Sequence, residues 1–239
     1  MTINDILKKY RDTSFTQKHK GTKFERLMKA WLKTDQRFSE LTEVYMWDEF
    51  PSKADLGGQD TGIDLVAKTE SGEWWAIQCK CYAEGAVIDK PLVDTFISTS
   101  GRTFTDPDTF AKTNFSLRLW ISTTNHWNST AEAAIKSQTI PVQRVTIQDL
   151  ENSPVDWDLL EGGKIGKEAM LPGKNPYPHQ LRVLSKASEY YKSHDRGKLI
   201  MACGTGKTYT SLLLMEQELK GKGLVLFMVP SIELLGQTL

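Results

Sequence analysis

Three cysteines in 239 residues are too few for a disulfide framework, so we expect a reducing, cytoplasmic setting. No apolar run reaches the about 18 residues of a membrane helix, and the polar N-terminal segment lacks the apolar core of a signal peptide. There is no excess of charge either, because 30 Lys and Arg balance 30 Asp and Glu. Neutrality argues against a uniformly basic surface for nucleic acid, but it leaves room for a local basic groove.

Two of the cysteines, Cys79 and Cys81, lie two residues apart. A zinc site would need further Cys or His residues at ligand spacing, and none of the four His residues stands next to another His or to a Cys. We therefore expect both to be small buried residues, since free cysteine is among the most buried residue types.

The most informative segment, residues 62–80, predicts two strands joined by a tight hairpin. The first, Gly62–Lys68, is apolar and β-branched, and the second, Glu73–Tyr82, is apolar and aromatic. The turn between them contains Gly72, at a position where a positive φ is expected. If the turn centres on residue 71, Asp64 faces Gln78, and their Cβ atoms lie about 4.5–5.5 Å apart.

This register brings an acid, an amide and an ammonium group together. A carboxylate and a side-chain carbonyl oxygen at that distance can share one hard cation. Lys80 lies two residues beyond Gln78 and so projects from the same face of the strand. The combination is the minimal set for metal-assisted cleavage of a phosphodiester bond.

Two further acids are candidates for the same site. Glu25 lies on a helix predicted over 23–33, beside an apolar stripe of residues spaced as i, i+3, i+4 and i+7, and it is equally explained as a solvated side chain. Asp60 lies four residues before Asp64 in a Gly- and Asp-rich loop, where it is as readily a turn-former.

The pattern of Asp64, Gln78 and Lys80 resembles the D…QxK variant of the PD-(D/E)xK nuclease superfamily, in its Mrr-like branch. The segment Ile121–Ile135 resembles the strand, Thr-rich loop and Ala-rich helix that follow the hairpin there. The resemblance covers roughly residues 15–150. It implies Mg²⁺, with Mn²⁺ as a substitute, bound by Asp64, Gln78 and the backbone carbonyl of Cys79.

In that scheme Glu25 or Asp60 completes the metal site directly or through water, and Lys80 orients the attacking water or offsets developing charge. Helices and strands alternate along the rest of this region, with a helix predicted over 90–100 and strands over 115–122 and 142–147. We therefore expect an α/β nuclease core in which helices flank a mixed sheet.

Glycines and prolines become frequent between residues 151 and 178, which indicates an irregular connection. We place the nuclease domain at 1–165 and a linker at 166–176. Residues 177–239 then form the first part of a RecA-like helicase domain, with strands predicted over 198–202 and 223–229.

A P-loop follows the first of these predicted strands and precedes a helix predicted over 209–220. Its glycines let backbone N–H groups approach phosphates, while its lysine reaches the β- and γ-phosphates and its threonine binds Mg²⁺. The tetrapeptide 177–180 resembles the adenine-reading Q-motif of superfamily 2 helicases, and residues 230–237 resemble motif Ia. The predicted ATP site consists of Tyr177, Gln180, Gly204, Thr205, Gly206, Lys207 and Thr208.

The order of nuclease, linker, Q-motif and P-loop resembles single-chain type ISP restriction–modification enzymes, with type I motor subunits close behind. This resemblance implies a translocating motor on double-stranded DNA, with further motor, methyltransferase and target-recognition domains, and a second copy for double-strand cleavage. No second acid motif follows the P-loop, so we expect no ATP hydrolysis from these 239 residues alone. The alternatives are a degenerate nuclease that only binds DNA, and a repair or RNA-processing nuclease–helicase.

Overall fold

The structure is a computed structural model, and it describes residues 1–58, 62–83, 85–136, 138–173, 175–202, 204–220 and 223–228. The chain divides into two compact units, Met1–Pro172 and Gly173–Leu239. The division lies inside the segment 166–176 that the sequence predicts to be a linker. No described helix is both long and apolar enough to cross a membrane.

The first unit contains helices and strands in alternation. Its helices are α1 (Ile3–Thr13), α2 (Gln17–Leu32), α3 (Lys90–Ser100), α4 (Ser129–Lys136), α5 (Ile147–Glu151) and α6 (Trp157–Glu161). Its strands are β1 (Leu41–Met46), β2 (Leu65–Thr69), β3 (Trp74–Lys80), β4 (Val87–Ile88), β5 (Phe104–Thr105), β6 (Lys112–Thr113), β7 (Phe115–Ser122), β8 (His126–Trp127) and β9 (Val142–Val145).

Five of these strands form one mixed sheet in the order β1-β2-β3-β7-β9. The first three pair antiparallel, whereas β3, β7 and β9 pair parallel. Short parallel strands β4 and β8 form a second sheet, and β5 with β6 forms a hairpin. The α/β core with a mixed sheet is therefore confirmed, and the carboxyl ends of its parallel strands meet at one edge.

Hydrophobic cores lie on both faces of this sheet, because successive side chains of β3 point to opposite sides. Ile77 and Cys79 pack on one face with α1 and α2, while Trp74 and Ala76 pack on the other with α3 and α4. The apolar stripe predicted on α2 is buried, and each such side chain contributes roughly 1.5–3 kcal/mol. The sheet is thus held between helical layers.

Two predicted elements match the structure residue for residue, namely β7 and α3. Helix α2 begins six residues before the predicted start at residue 23. The Thr16 hydroxyl accepts a hydrogen bond from the backbone N–H of His19 at 3.0 Å, which satisfies an otherwise unpaired donor at the helix start. The cap, rather than the apolar stripe, sets this end.

The second unit contains two helices in its described residues, α7 (Pro178–Tyr191) and α8 (Lys207–Leu219). The strands predicted over 198–202 and 223–229 are wrong as far as the structure describes these segments. Their apolar side chains are exposed, with Ile200 at 90% and Leu224 at 95%. A parallel strand is stable when neighbouring strands and helices cover it, and the described residues of these segments have no such cover.

Candidate active site

The β2–β3 hairpin sets the position of Asp64. Leu65 pairs with Ile77 in this hairpin, which confirms the predicted register of the two strands, and Asp64 immediately precedes these paired residues. The backbone N–H of Asp64 donates to the Ile77 carbonyl at 2.9 Å, which extends the pairing to Asp64 itself. Gly72 in the turn has φ +83°, as expected for this position. The tight turn thus carries its register to the far end of the hairpin.

Two donors hold the Asp64 carboxylate from one side. The Gln78 side-chain Nε2 donates to Asp64 Oδ2 at 2.9 Å, and the backbone N–H of Cys79 donates to the same oxygen at 2.7 Å. Both donors belong to β3, while Asp64 immediately precedes β2. The hairpin therefore orients the carboxylate of Asp64.

Gln78 is almost fully buried, at 1% exposure, and its other polar atom is unusual. Its Oε1 is buried and has no hydrogen-bond partner among the described residues. Gly62, at φ +73°, leaves room for this oxygen, because a Cβ at that position would lie 3.3 Å from it. A buried acceptor without a partner costs about 1–3 kcal/mol, and this cost would be removed if the amide turned its oxygen toward a cation.

A cleft of about 880 Å³ runs between α2 and the ends of β1, β2 and β3. Three residues predicted for the chemistry line it together, namely Glu25, Asp64 and Lys80. The cleft is also lined by Lys18, Gly21, Thr22, Arg26, Met46, Trp47, Asp48, Glu49, Gly58, Gly62 and Ile63. The sequence did not single out Lys18 and Arg26, although their spacing along α2 places them on one helix face.

Glu25 is electrostatically coupled to the other two. The pKa of Glu25 is raised to about 7, mainly by burial and further by the charge of Asp64, while the Lys80 ammonium partly opposes both effects. A carboxyl with that pKa holds a proton about half of the time near neutral pH. Glu25 can thus exchange a proton at the pH of the cell.

The Thr-rich loop after β7 fixes the strand end that carries Lys80. Thr123 donates its backbone N–H to the Lys80 carbonyl at 3.1 Å. Its hydroxyl accepts from the Tyr82 N–H at 2.8 Å and donates to the Tyr82 carbonyl at 3.1 Å. The resemblance pointed to this loop, but not to its contact with the backbone on both sides of residue 81.

Cys79 and Asp60 are the remaining predicted metal ligands. Cys79 turns its side chain into the core next to α2, where burial raises the pKa of its thiol, and only its backbone faces Asp64. Asp60 lies outside the described residues. Among those that are described, no three His, Cys, Asp or Glu side chains come together as a metal centre.

In the second unit, side chains of the predicted P-loop form hydrogen bonds with the backbone just before it. Gly204 and Gly206 have φ +75° and +77°, which lets the loop turn into α8. The Lys207 ammonium donates to the Ala202 carbonyl at 3.2 Å, and the Thr205 hydroxyl donates to the same oxygen at 2.7 Å. Helix α8 begins at Lys207, two residues before the predicted start at residue 209.

Gln180, the predicted adenine reader, contacts the P-loop and is 2% exposed. Its Oε1 accepts from the Tyr177 N–H at 2.8 Å, and its Nε2 donates to the Thr205 carbonyl at 3.2 Å. His179 Nε2 lies 3.1 Å from the same carbonyl, and its ring stacks on Tyr177 at 5.7 Å. The structure therefore brings the two halves of the predicted nucleotide site together.

Comparisons with known proteins agree with this arrangement. Residues 33–166 match a family model described as a restriction endonuclease, of the Mrr type, and residues 173–239 match one described as the res subunit of type III restriction enzymes. A search of curated proteins returned no match. The predicted order of an Mrr-like nuclease domain followed by a helicase region is confirmed.

A solved structure is similar over both units. It is the ATP-dependent Type ISP restriction-modification enzyme LlaBIII bound to DNA, with 31% sequence identity and a TM-score of 0.68. The match covers 93% of this chain and 14% of that enzyme, so the chain spans a small part of its relative's length. The predicted resemblance to type ISP enzymes is confirmed at this level.

Proposed function

This chain belongs to the restriction endonuclease family, and on that premise we propose that its first unit hydrolyses phosphodiester bonds in double-stranded DNA with a bound divalent cation. The observation that carries the proposal is that Glu25, Asp64 and Lys80 line one cleft. Gln78 donates a hydrogen bond to the Asp64 carboxylate. A module that only binds DNA has no use for carboxylates aimed at phosphate.

The donor atoms of the site suit a hard cation. Asp64 offers carboxylate oxygen, and Gln78 Oε1 is a buried acceptor without a partner in the described structure. Oxygen donors of this kind are what Mg²⁺ prefers, with Mn²⁺ as a substitute. Asp64, Gln78 and the Cys79 carbonyl would hold the ion, and Glu25 or Asp60 would complete the set. When bound, the ion polarises the scissile phosphate and eases ionisation of water.

The protein's own groups then divide the remaining work. The Lys80 ammonium offsets the negative charge that grows on the phosphate oxygens, or orients the attacking water. Glu25, with its pKa near 7, takes a proton at the cleft wall, while the backbone N–H of Cys79 keeps its hydrogen bond to Asp64. Thr123 maintains the strand end from which Lys80 projects.

The second unit supports a wider proposal about the protein. The match to a res subunit and the P-loop geometry favour ATP with Mg²⁺ as the ligand of Lys207 and Thr208. By likeness to the type ISP enzyme, we infer a DNA-translocating restriction–modification protein with methyltransferase and target-recognition domains. A second copy would be needed to cut both strands.

One observation favours a competing function. Gln78 presents its amide nitrogen, and not its oxygen, to Asp64, so the side chain acts here as a hydrogen-bond donor to the carboxylate. A degenerate nuclease that only holds DNA would show the same arrangement. The two functions differ in whether the cleft turns over substrate.

Cleavage of supercoiled plasmid by the protein with and without Asp64→Asn tests the proposal. Asn keeps the side-chain shape but removes the charge, so we expect nicking with Mg²⁺ or Mn²⁺ to fall by at least about a hundredfold. Lys80→Ala should give a similar loss, whereas Lys136→Ala on α4 should not. Equal cleavage by the Asp64 variant and the parent would contradict the assignment.

A further inference from the structure

The strongest charge asymmetry in the chain lies at the corner between α1 and α2. Residues 8–33 contain nine Lys or Arg against two acidic residues, although the whole chain is neutral. This segment is α1's second half, the corner 14–16 and all of α2. An excess of seven positive charges on one local structure is the electrostatic pattern of a phosphate-binding surface.

The positive charge continues into the catalytic cleft. Lys18 and Arg26 have exposed side chains on α2, and both line the cleft that holds Asp64 and Lys80. Arg26 also lines an adjoining groove of about 450 Å³. That groove is also lined by three lysines, Lys23, Lys29 and Lys33, and by one acid, Glu161, beside Tyr10 and apolar residues.

Except for Glu25, the acids that line the cleft do not lie on α2. Glu25 lines the cleft from α2, and the charge of Asp64 raises its pKa. The other charged residues that α2 contributes to the cleft are the cations Lys18 and Arg26. Asp48 and Glu49 come from the turn after β1, and Glu49 already pairs with Lys29. A duplex backbone entering along α2 therefore meets the cations Lys18 and Arg26 before it reaches Asp64 and Lys80.

An exposed aromatic ring marks the start of this path. Phe15 sits at the α1–α2 corner with 94% of its surface exposed, and its ring stacks on His19 at 6.2 Å. Isolated exposed apolar residues are common on protein surfaces. This one, however, lies three residues before Lys18, which lines the cleft, and a base or sugar of bound DNA can cover it.

We propose that the α1–α2 corner and the cleft-facing side of α2 form the docking surface for the DNA duplex on the nuclease unit. Lys18 and Arg26 bind backbone phosphates, and Phe15 contacts the bases or sugars of the adjacent groove. The inference rests on the proposed nuclease function, since it uses the same cleft. It adds the direction from which the substrate enters and the side chains that hold it.

Salt-dependent binding tests this surface without any cleavage. A fluorescein-labelled duplex is titrated by anisotropy in EDTA at several salt concentrations between about 50 and 200 mM. Each lost phosphate contact lowers the slope of log K against log salt by about 0.9, so Lys18→Gln with Arg26→Gln should lower it by about 1.8. Phe15→Ala should weaken binding about fivefold or more with the slope unchanged.

A matched pair on the opposite face of the sheet is the control. Lys90→Gln with Lys136→Gln on α3 and α4 removes the same charge and should leave the slope unaltered. Lys18→Arg with Arg26→Lys should keep the parent slope, which separates charge from misfolding. The proposal would be overturned if the Lys18→Gln, Arg26→Gln variant had the same slope as the parent. It would also be overturned if this variant and the Lys90→Gln, Lys136→Gln variant lowered the slope equally.

The nuclease assignment can fail independently of this surface. Asp64→Asn should bind the duplex with the parent slope, because Asp64 makes no phosphate contact in the proposal. If that variant still cuts DNA, the catalytic assignment is wrong while the slopes still decide the docking surface. If the slopes contradict the surface while Asp64→Asn abolishes cutting, only the entry path is wrong.

Discussion

Glu25 provides a test of the site that needs neither substrate nor metal. Its pKa is raised from 4.5 to about 7, first by burial and then by the charge of Asp64. A carboxyl whose pKa is higher in the folded chain retains protons that the unfolded chain has released. The free energy of unfolding therefore falls as pH rises from about 4.5 to 7. Glu25→Gln should remove this loss, because Gln carries no charge at any pH.

The size of the effect follows from the shift and the exposure. A shift from 4.5 to about 7 corresponds to about 3 kcal/mol if taken at full value. Glu25 is only half-buried, so solvent screening reduces the expected stabilisation at neutral pH to roughly 1 kcal/mol. In a unit of this size that raises the melting temperature by about 2–4 °C.

Tryptophan emission is the appropriate readout, since all seven tryptophans of the chain lie in the first unit. Thermal melts of the parent and Glu25→Gln are compared in EDTA from about pH 5 to 8. The melting temperatures of the parent and of Glu25→Gln should converge at the acidic end of this range and separate as pH rises. Glu70→Gln, in the exposed hairpin turn, is the control and should follow the parent. A difference in melting temperature between the parent and Glu25→Gln that stays constant at all pH values would refute the reasoning.

Three further substitutions probe the geometry. Gly62→Ala should cost about 1–2 kcal/mol for its left-handed backbone, and its Cβ would press on Gln78 Oε1 at 3.3 Å; an unchanged melting temperature contradicts this. Gly206→Ala places a Cβ against Gln180 Nε2, so titration with a fluorescent ATP analogue should show weaker binding than for the parent. Gln78→Glu adds a charge beside Asp64 and should tighten Mg²⁺ binding about tenfold or more by calorimetry; equal affinities would exclude Gln78 as a ligand.

The sequence predicts the hairpin well because its determinants are local. Gly72 fixes the turn, and a side-chain period of two then carries the register to Asp64 and Gln78 without any other part of the chain. The apolar stripe of α2 is local in the same sense. These features need only neighbours within a few residues.

Other features depend on contacts that no local pattern contains. The raised pKa of Glu25 arises because α2 packs over the sheet beside Asp64, some forty residues further along the chain. The apolar segments at 198–202 and 224–228 have strand composition, yet a strand forms only where another strand pairs with it. The orientation of the Gln78 amide is likewise set by Asp64 and Gly62, which the pattern D…QxK does not specify.

The amide at position 78 has a physical consequence for control of the proposed nuclease. A glutamate there would place a third carboxylate beside Asp64 and Glu25, and without a cation their repulsion would weaken the folded site. Gln78 instead donates a hydrogen bond to Asp64 and holds it in place with no ion present. Ion binding through Oε1 then requires the amide to turn and give up that bond, which lowers affinity. A site built this way keeps Asp64 in place by a hydrogen bond from the protein itself, and we expect it to bind Mg²⁺ less tightly than a site with two carboxylates.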